Sequence, residues 1–180
     1  MKRSFTGALA LLAALTVPAS LSAKGRSIKI TITGADLTTP IESTDDSLER
    51  FGVWEGPGVR INGVPQAQGF IIDWPKGVVA ERRNGLQRYE VSFYTGCKMK
   101  ESGCRSSQPS LSYVVSYEYD PSTDQGYVYL PGKADRWYPL NTFSIFRGGL
   151  EGYWFFATSG WTKFARPLLE RARAEGLASR

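Results

Sequence analysis

Histidine is absent from the 180 residues, and cysteine occurs only twice. The absence of histidine excludes the Ser-His-Asp triad, the Cys-His dyad and histidine-ligated zinc. No Walker loop, GxGxxG or GxSxG sequence occurs, so the common nucleotide-binding and hydrolase motifs are missing as well. These absences favour a non-catalytic protein over an enzyme, and we expect neither a cofactor nor a metal.

The sequence also lacks an apolar run of the roughly 20 residues that a membrane-spanning helix needs. The apolar run over residues 8–15 is short, follows Lys2 and Arg3, and leads to the small residue Ala23. This order of features is typical of a secretory signal peptide. We expect cleavage after Ala23 and a single mature domain over residues 24–180. The product would be a soluble monomer in the periplasm or the medium.

The only two cysteines, Cys97 and Cys104, lie in the polar segment TGCKMKESGC. In an oxidising compartment such a pair is expected to form a disulfide, which would remove roughly 2.5 kcal/mol of unfolded-state entropy. A redox-active pair is the alternative, but the spacing is not the C-x-x-C of thioredoxin-like proteins. We therefore predict a structural disulfide.

Basic residues outnumber acidic ones, 22 against 17, giving a net charge of +5. Removal of Lys2 and Arg3 with the signal peptide lowers the charge to +3, and this surplus lies after residue 160. Glu170 and Glu175 interrupt the basic segment, as is usual for a solvated helix face. No basic-aromatic motif of a nucleic-acid-binding module occurs, so we expect no nucleic-acid partner.

Alternation of apolar and polar residues predicts several β-strands. It is clearest in IKITIT at residues 28–33, LQRYEVSFY at 86–94 and LSYVVSYEY at 111–119. These segments predict an α+β fold that is predominantly an antiparallel β meander, in the form of a sandwich-like or half-barrel sheet. A short N-terminal helix and a C-terminal helix would pack on this sheet.

The two longest predicted strands suggest their own register. Placing odd positions opposite odd positions brings Arg88 near Glu118 and Tyr89 near Tyr117. Opposite charges then pair and aromatic rings meet, which stabilises neighbouring strands. A shift of one residue would exchange the buried and solvent-facing sides of the strand, so we expect the odd register to be strongly preferred.

Four tyrosines surround the turn in YEYDPSTDQGYVYLPG, residues 117–132. A return strand that keeps odd opposite odd would place all four on one face, together with Val and Phe. A tyrosine-rich face of this kind is more typical of a core than of a ligand-binding surface, because large aromatic patches rarely stay exposed. The tyrosines are Tyr117, Tyr119, Tyr127 and Tyr129.

Turn-forming residues predict further hairpins. GFIIDW at 69–74 and VVAERR at 78–83 are expected to be strands, and Asn84-Gly85 is the strongest hairpin signal in the chain. TFSIF at 142–146 and YWFFA at 153–157 are apolar segments around a Gly-rich turn, which predicts another hairpin.

Two helices are predicted at opposite ends of the mature chain. The cluster Thr44-Asp45-Asp46 can cap a short helix that carries Leu48 and Phe51. The segment GWTKFARPLLERARAEG at 160–176 has apolar residues at helical spacing, but Pro167 interrupts it. The helix either kinks at Pro167 or begins there.

The first functional hypothesis is a non-catalytic protein that binds another macromolecule or an envelope glycan through a sheet surface or its loops. Aromatic residues next to turns are the natural candidates, and Trp137 lies in a polar loop without local apolar neighbours. The alternative for each tryptophan is a place in the core. The candidate residues are Trp54, Trp74, Tyr127, Tyr129, Arg136 and Trp137.

A second hypothesis is a glycan hydrolase that depends on two carboxylates, because this chemistry needs no histidine. Glu55 and Asp73 each adjoin a tryptophan and a turn, and Glu90 and Glu118 are further candidates. Acids beside turns are more often ordinary hydrogen-bond acceptors. A third hypothesis is a secreted inhibitor that acts through the loop at residues 97–110.

Four segments together resemble small exported bacterial proteins: PIESTD at 40–45, RYEVSFY at 88–94, YEYDPSTDQGYVYLPG at 117–132 and WYPLN at 137–141. The resemblance covers most of the mature chain. It implies export and a single intact domain. It carries no activity, ligand or catalytic residue to this chain, so the partner stays an unidentified protein or glycan.

Overall fold

The computed structural model describes residues 26–53, 60–61, 64–65, 71–96, 108–144 and 149–178. The predicted signal peptide lies outside these residues, as do Trp54, Glu55 and both cysteines. The predicted disulfide, and most of the loop proposed for an inhibitor, therefore stay predictions.

Eight strands occur in the described residues, and six of them form one antiparallel sheet in the order β2-β1-β5-β6-β7-β8. The two remaining strands, β3 and β4, pair only with each other. The predicted α+β class with an antiparallel sheet is confirmed. The strands are β1 (Arg26–Gly34), β2 (Ile41–Ser43), β3 (Arg60–Ile61), β4 (Val64–Pro65), β5 (Arg88–Gly96), β6 (Ser110–Asp120), β7 (Gln125–Tyr129) and β8 (Trp154–Phe156).

The pairing of β5 with β6 follows the register that the sequence predicts. Arg88 lies opposite Glu118, and Tyr89 lies opposite Tyr117. The ladder keeps odd positions paired as far as Phe93 and then shifts by one residue at a bulge. The alternation of side chains therefore decides which residues of these two strands are buried.

The described residues contain two α-helices, α1 (Tyr138–Ser144) and α2 (Ser159–Ala178), and short 3-10 helices at Asp46–Arg50 and Trp74–Lys76. The predicted N-terminal helix is thus a short 3-10 helix, which Asp45 caps by accepting a hydrogen bond from the Ser47 amide at 2.7 Å. No helix in the described part of the chain is both long and apolar enough to cross a membrane.

Helix α2 packs on one side of the sheet, which we call the inner face. Its Trp161 is fully buried, with its ring centre 5.7 Å from that of Phe93 and 6.0 Å from that of Tyr117. The helix runs through Pro167 without ending there, although proline cannot donate a backbone hydrogen bond. Trp161, Ala165 and Leu169 recur every four residues and are all buried, so the apolar stripe overrides the proline.

Two matching contacts tie α2 to the sheet. Tyr89 donates a hydrogen bond to Asp36 at 2.6 Å, and Arg173 binds the same carboxylate oxygen at 2.7 Å. Two helical turns earlier, Arg166 binds Asp124 at 3.0 Å, and Tyr119 donates to the same Asp124 oxygen at 2.7 Å. We call these groups the Asp36 clamp (Asp36, Tyr89, Arg173) and the Asp124 clamp (Asp124, Tyr119, Arg166). Two of the basic residues of the C-terminal segment thus serve the fold.

The predicted register of the β6–β7 hairpin is wrong by one residue. Tyr117 lies opposite Val128, and Tyr127 lies opposite Glu118. The loop between the closing pair Asp120 and Gln125 has an even number of residues, so odd positions face even ones. Asp124 makes this loop possible by adopting a φ of 52°, a left-handed conformation that aspartate tolerates better than most residues.

The four tyrosines are consequently divided between the two faces. Tyr117 and Tyr119 point to the inner face, where they lie in or beside the core under α2. Tyr127 and Tyr129 point to the opposite side, which we call the outer face. The expected single tyrosine-rich face does not form.

Several predicted strands take other forms. Between residues 71 and 83, Ile72 and Val78 make only isolated bridges to Ala157 and Phe155. Asn84-Gly85 forms a turn, with Gly85 at a φ of 76°, but no hairpin, because β5 pairs with β1 and β6 instead. Residues 142–144 of the predicted strand TFSIF belong to α1, whose early Pro139 suits a helix start.

Candidate functional site

The outer face of the sheet presents two rows of side chains across neighbouring strands. Residues directly opposite each other in a ladder point to the same side, so the register defines each row. The Arg88 row contains Arg88, Glu118, Tyr127 and Phe156. The Glu90 row contains Thr33, Glu90, Ser116, Tyr129 and Trp154.

A carboxylate in the middle of the outer face binds two arginines. The side chain of Glu118 is only 3% exposed, with one oxygen 3.1 Å from Nε of Arg88 and the other 2.9 Å from Nη1 of Arg82. Both guanidinium groups also lie over the indole of Trp154, at 4.2 Å for Arg82 and 5.1 Å for Arg88. We call Arg82, Arg88, Glu118 and Trp154 the arginine cluster. A buried carboxylate is stable here because both its oxygens face a cation.

The segment between the second 3-10 helix and β5 supplies the first of these arginines. Val79 donates a backbone hydrogen bond to Trp154 at 2.8 Å, so the segment starts beside β8. It ends at Arg88 on β5, having placed Arg82 on Glu118 and Arg83 3.5 Å from Asp120. The two arginines of this segment are matched to carboxylates of β6, and these contacts tie the segment to the sheet.

Aromatic rungs occupy the β7–β8 end of both rows. The rings of Tyr129 and Trp154 are 5.1 Å apart, and those of Tyr127 and Phe156 are 5.8 Å apart. Tilted pairs at these distances are favourable. Lys76 lies 5.5 Å above the ring of Phe156, so cations lie over both rungs.

The centre of the Glu90 row, in contrast, is small and polar. Within the described residues, no hydrogen bond or ion pair engages the Glu90 carboxylate or the Ser116 hydroxyl. Both side chains are half-buried, and Thr33 at the end of the row is exposed. A carboxylate accepts hydrogen bonds and a hydroxyl both donates and accepts. This stretch therefore has hydrogen-bonding capacity that the described protein does not use.

Helix α1 limits the site on one side. Asn141 is buried and bonds both backbone groups of Val114, accepting from its N–H at 2.9 Å and donating to its C=O at 2.6 Å. Val114 lies beyond the last residue of β6 that pairs with β7, so the side chain replaces a missing strand. This satisfies an edge that would otherwise stay unpaired.

The aromatic residues that the sequence suggests are placed unevenly. Trp74 is 7% exposed and packs 5.0 Å from Phe155 within the core, and Tyr127 is also 7% exposed. Neither offers much surface to a ligand. Tyr129 is partly exposed and belongs to the Glu90 row.

The loop after β7 carries Arg136 and Trp137. The guanidinium of the exposed Arg136 lies 4.4 Å over the half-buried indole of Trp137. Asp135 anchors this loop by accepting hydrogen bonds from the Tyr129 hydroxyl at 2.8 Å and the Gly132 amide at 2.7 Å. Burial, and then the bond to Asp135, raise the pKa of Tyr129.

The candidate carboxylates do not form a catalytic pair in the described residues. Asp73 lies 3.3 Å from Nζ of Lys76, and its proposed partner Glu55 is outside the described part of the chain. Glu118 shares the outer face with Glu90, but both its oxygens are held by arginines. Nor do the described residues contain a group of three or more acidic or cysteine side chains suited to a metal ion.

Sequence reasoning missed the two central members of the site, Arg82 and Trp154. The Arg88–Glu118 pair was predictable from the strand register, and it is the anchor on which both depend. The row that runs across β6, β7 and β8 was not predicted, because the predicted register of β7 was wrong by one residue. An error of this size moves the aromatic residues of the strand to the other face of the sheet.

Comparisons of this chain with protein-family models, with curated proteins and with solved structures gave no match. The site is therefore interpreted from its own geometry.

Proposed function

We propose that this is an exported, non-catalytic protein that binds a cell-envelope glycan through the Glu90 row of its outer face. The observation that carries the proposal is the pairing of unused polar groups, Glu90 and Ser116, with the neighbouring aromatic pair Tyr129 and Trp154. Binding sites combine a few placed polar groups with aromatic surface, and sugars offer hydroxyls to the first and apolar ring faces to the second.

The dimensions of the row suit an extended ligand. Strands lie about 4.8 Å apart, so the three intervals from Glu90 to Trp154 span about 14 Å. An oligosaccharide covers such a distance, whereas a single small ion does not. The order of the row, from a carboxylate through a hydroxyl to aromatic rings, would position successive sugar units differently.

A glycan suits this surface better than a protein partner. Interfaces between proteins usually have an apolar centre. The large hydrophobic side chains that are exposed in the described residues are Val78 and Tyr153, and neither belongs to the Glu90 row. The centre of the row is polar, which favours a ligand rich in hydroxyl groups.

Glycan-array binding with purified protein tests the proposal. Glu90→Ala should weaken binding of the recognised glycan by about tenfold or more, because each charge-assisted hydrogen bond contributes roughly 1.5–3 kcal/mol. Glu175→Ala is the matched control, since Glu175 is exposed on α2 at the opposite side of the sheet. Failure of the wild type to bind any glycan, or equal binding by Glu90→Ala, would overturn the proposal.

The same samples distinguish binding from hydrolysis. We expect no release of new reducing ends from a bound glycan during prolonged incubation. Turnover that Glu90→Gln abolishes would instead favour the carboxylate-dependent hydrolase, with Glu90 as one of its acids.

A further inference from the structure

We infer that the glycan bound at the Glu90 row carries carboxylate groups, and that Arg88 recognises them. This inference rests on the proposed function and names the ligand class for the same face. The inference depends on which arginine of the arginine cluster is exposed, and on which hydrogen-bond donors of Arg88 remain available to a ligand.

The arginine cluster has a charge of +1, because two guanidinium groups share the single carboxylate of Glu118. The two arginines that carry this positive charge are not equally buried. The side chain of Arg82 is 22% exposed and that of Arg88 is 55% exposed, so Arg88 carries the accessible part. An anion approaching the outer face would therefore meet Arg88 first.

Arg88 is also held in a fixed orientation. Its Nε bonds Glu118 at 3.1 Å, and its guanidinium carbon lies 5.1 Å from the centre of the Trp154 ring. Guanidinium groups bind carboxylates through two parallel N–H groups, and holding the group still reduces the entropy lost on binding. Arg88 has donors beyond Nε, and more than half of its side chain faces solvent.

The neighbour of Arg88 determines what else the ligand must contain. Glu90 lies two residues further along β5, on the same face. It would repel a second carboxylate but accept hydrogen bonds from hydroxyls. The ligand that fits both residues carries a carboxylate beside free hydroxyls, as a uronic acid polymer does.

Two forms of one polymer provide the test, polygalacturonate and its methyl ester. They share a backbone and differ in the charge of the carboxyl group. We expect the wild type to bind polygalacturonate about tenfold more tightly than the ester, with a preference that weakens as salt rises. Arg88→Gln should remove this preference, because it weakens binding of the acid form far more than binding of the ester.

Two further variants separate recognition from folding and from general charge. Arg88→Lys keeps the positive charge but loses the planar pair of donors, so we expect an intermediate preference. Arg171→Gln removes an exposed charge from α2 and should retain the full preference. Unfolding curves identify any variant that has lost the native structure, in which case Arg88→Lys decides.

The outcomes separate this inference from the proposal beneath it. Equal binding of the two polymers, unchanged in Arg88→Gln and weakened by Glu90→Ala, would overturn the role of Arg88 and keep the glycan site. A preference for the acid form that survives in Arg88→Gln would also overturn it. Binding of neither polymer would overturn the inference, while the glycan array would decide the proposal separately.

Discussion

On the inner face of the sheet, tyrosine hydroxyls and arginines converge on Asp36 and Asp124 and fasten α2 to the strands. On the outer face, arginines converge on Glu118 and lie over Trp154. The chemical groups are nearly the same. On the inner face these groups hold α2 over the core. On the outer face Arg88 remains exposed, and Glu90 and Ser116 remain half-buried.

The difference shows that burial under a packed helix, more than the types of side chain present, separates a structural network from a binding surface. Tyr117 is fully buried because Trp161 packs against its ring at nearly a right angle, 86°. Tyr129, twelve residues later in the same hairpin, stays partly exposed beside Trp154. The following predictions use this contrast between the two faces.

The largest expected effect compares a tryptophan from each face. Trp161→Ala should lower the free energy of unfolding by about 3–5 kcal/mol, because it opens a cavity among Phe51, Phe93 and Tyr117. Trp154→Ala should cost only about 1–2 kcal/mol, since the ring is partly exposed. Urea unfolding measures both, and equal losses would show that the outer face is as much a core as the inner one.

A smaller effect separates the two glutamates of the outer face. Glu118→Gln should cost about 2 kcal/mol, below the usual range for a broken buried pair because Arg88 is largely solvated. Glu90→Gln should change stability by less than about 0.5 kcal/mol, as is normal for a side chain without partners. If Glu90→Gln were the more destabilising change, Glu90 would have a structural role and the proposed site would lose its centre.

The two clamps should also differ. Tyr89→Phe removes a hydroxyl from a fully buried ring and should cost about 1–2 kcal/mol. Tyr119→Phe should cost less than about 1 kcal/mol, because the carboxylate of Asp124 is 59% exposed and can bind water instead. Unfolding curves of the two variants under one condition give the comparison, and a reversed order would contradict it.

The smallest effect depends on pH. The hydrogen bond from Tyr119, with help from Arg166, lowers the pKa of Asp124 in the folded protein. This group therefore stabilises the fold above the unfolded aspartate pKa of about 3.9, and the contribution is lost as pH falls through the lower folded value. Asp124→Asn should lose less stability than the wild type between about pH 5 and pH 2. Parallel curves for the two proteins would rule out this role.

Much of the fold follows from local patterns. Alternation identified β1, β5 and β6, and the match of Arg88 with Glu118 identified the register of β5 with β6, because a wrong register would place charges in the core. The apolar stripe of α2 was equally visible. The predictions that failed concern short segments. Residues 71–83 and 142–144 have apolar side chains that suit a strand, but a strand also needs a neighbouring strand whose backbone groups are still unpaired.

The site was less predictable than the fold. Trp74 and Trp154 look alike in sequence, each next to an aromatic or acidic residue near a turn. Burial of Trp74 against Phe155 and exposure of Trp154 at the end of a row depend on which residues β8 meets. Glu118 differs from Glu90 in its burial and in its second arginine, Arg82, and both differences are properties of the assembled fold.

The amino-acid sequence by itself determined the antiparallel strands, the pairing of β5 with β6 and the amphipathic helix, because period and charge are properties of neighbouring residues. The tertiary structure alone decided which tyrosines are buried and where Arg82 and Trp154 meet. The loop before β7 has an even number of residues, so every later strand residue lies on the opposite face from the one that an odd-numbered loop would give. Side-chain preferences cannot predict a difference of one residue in the length of a loop.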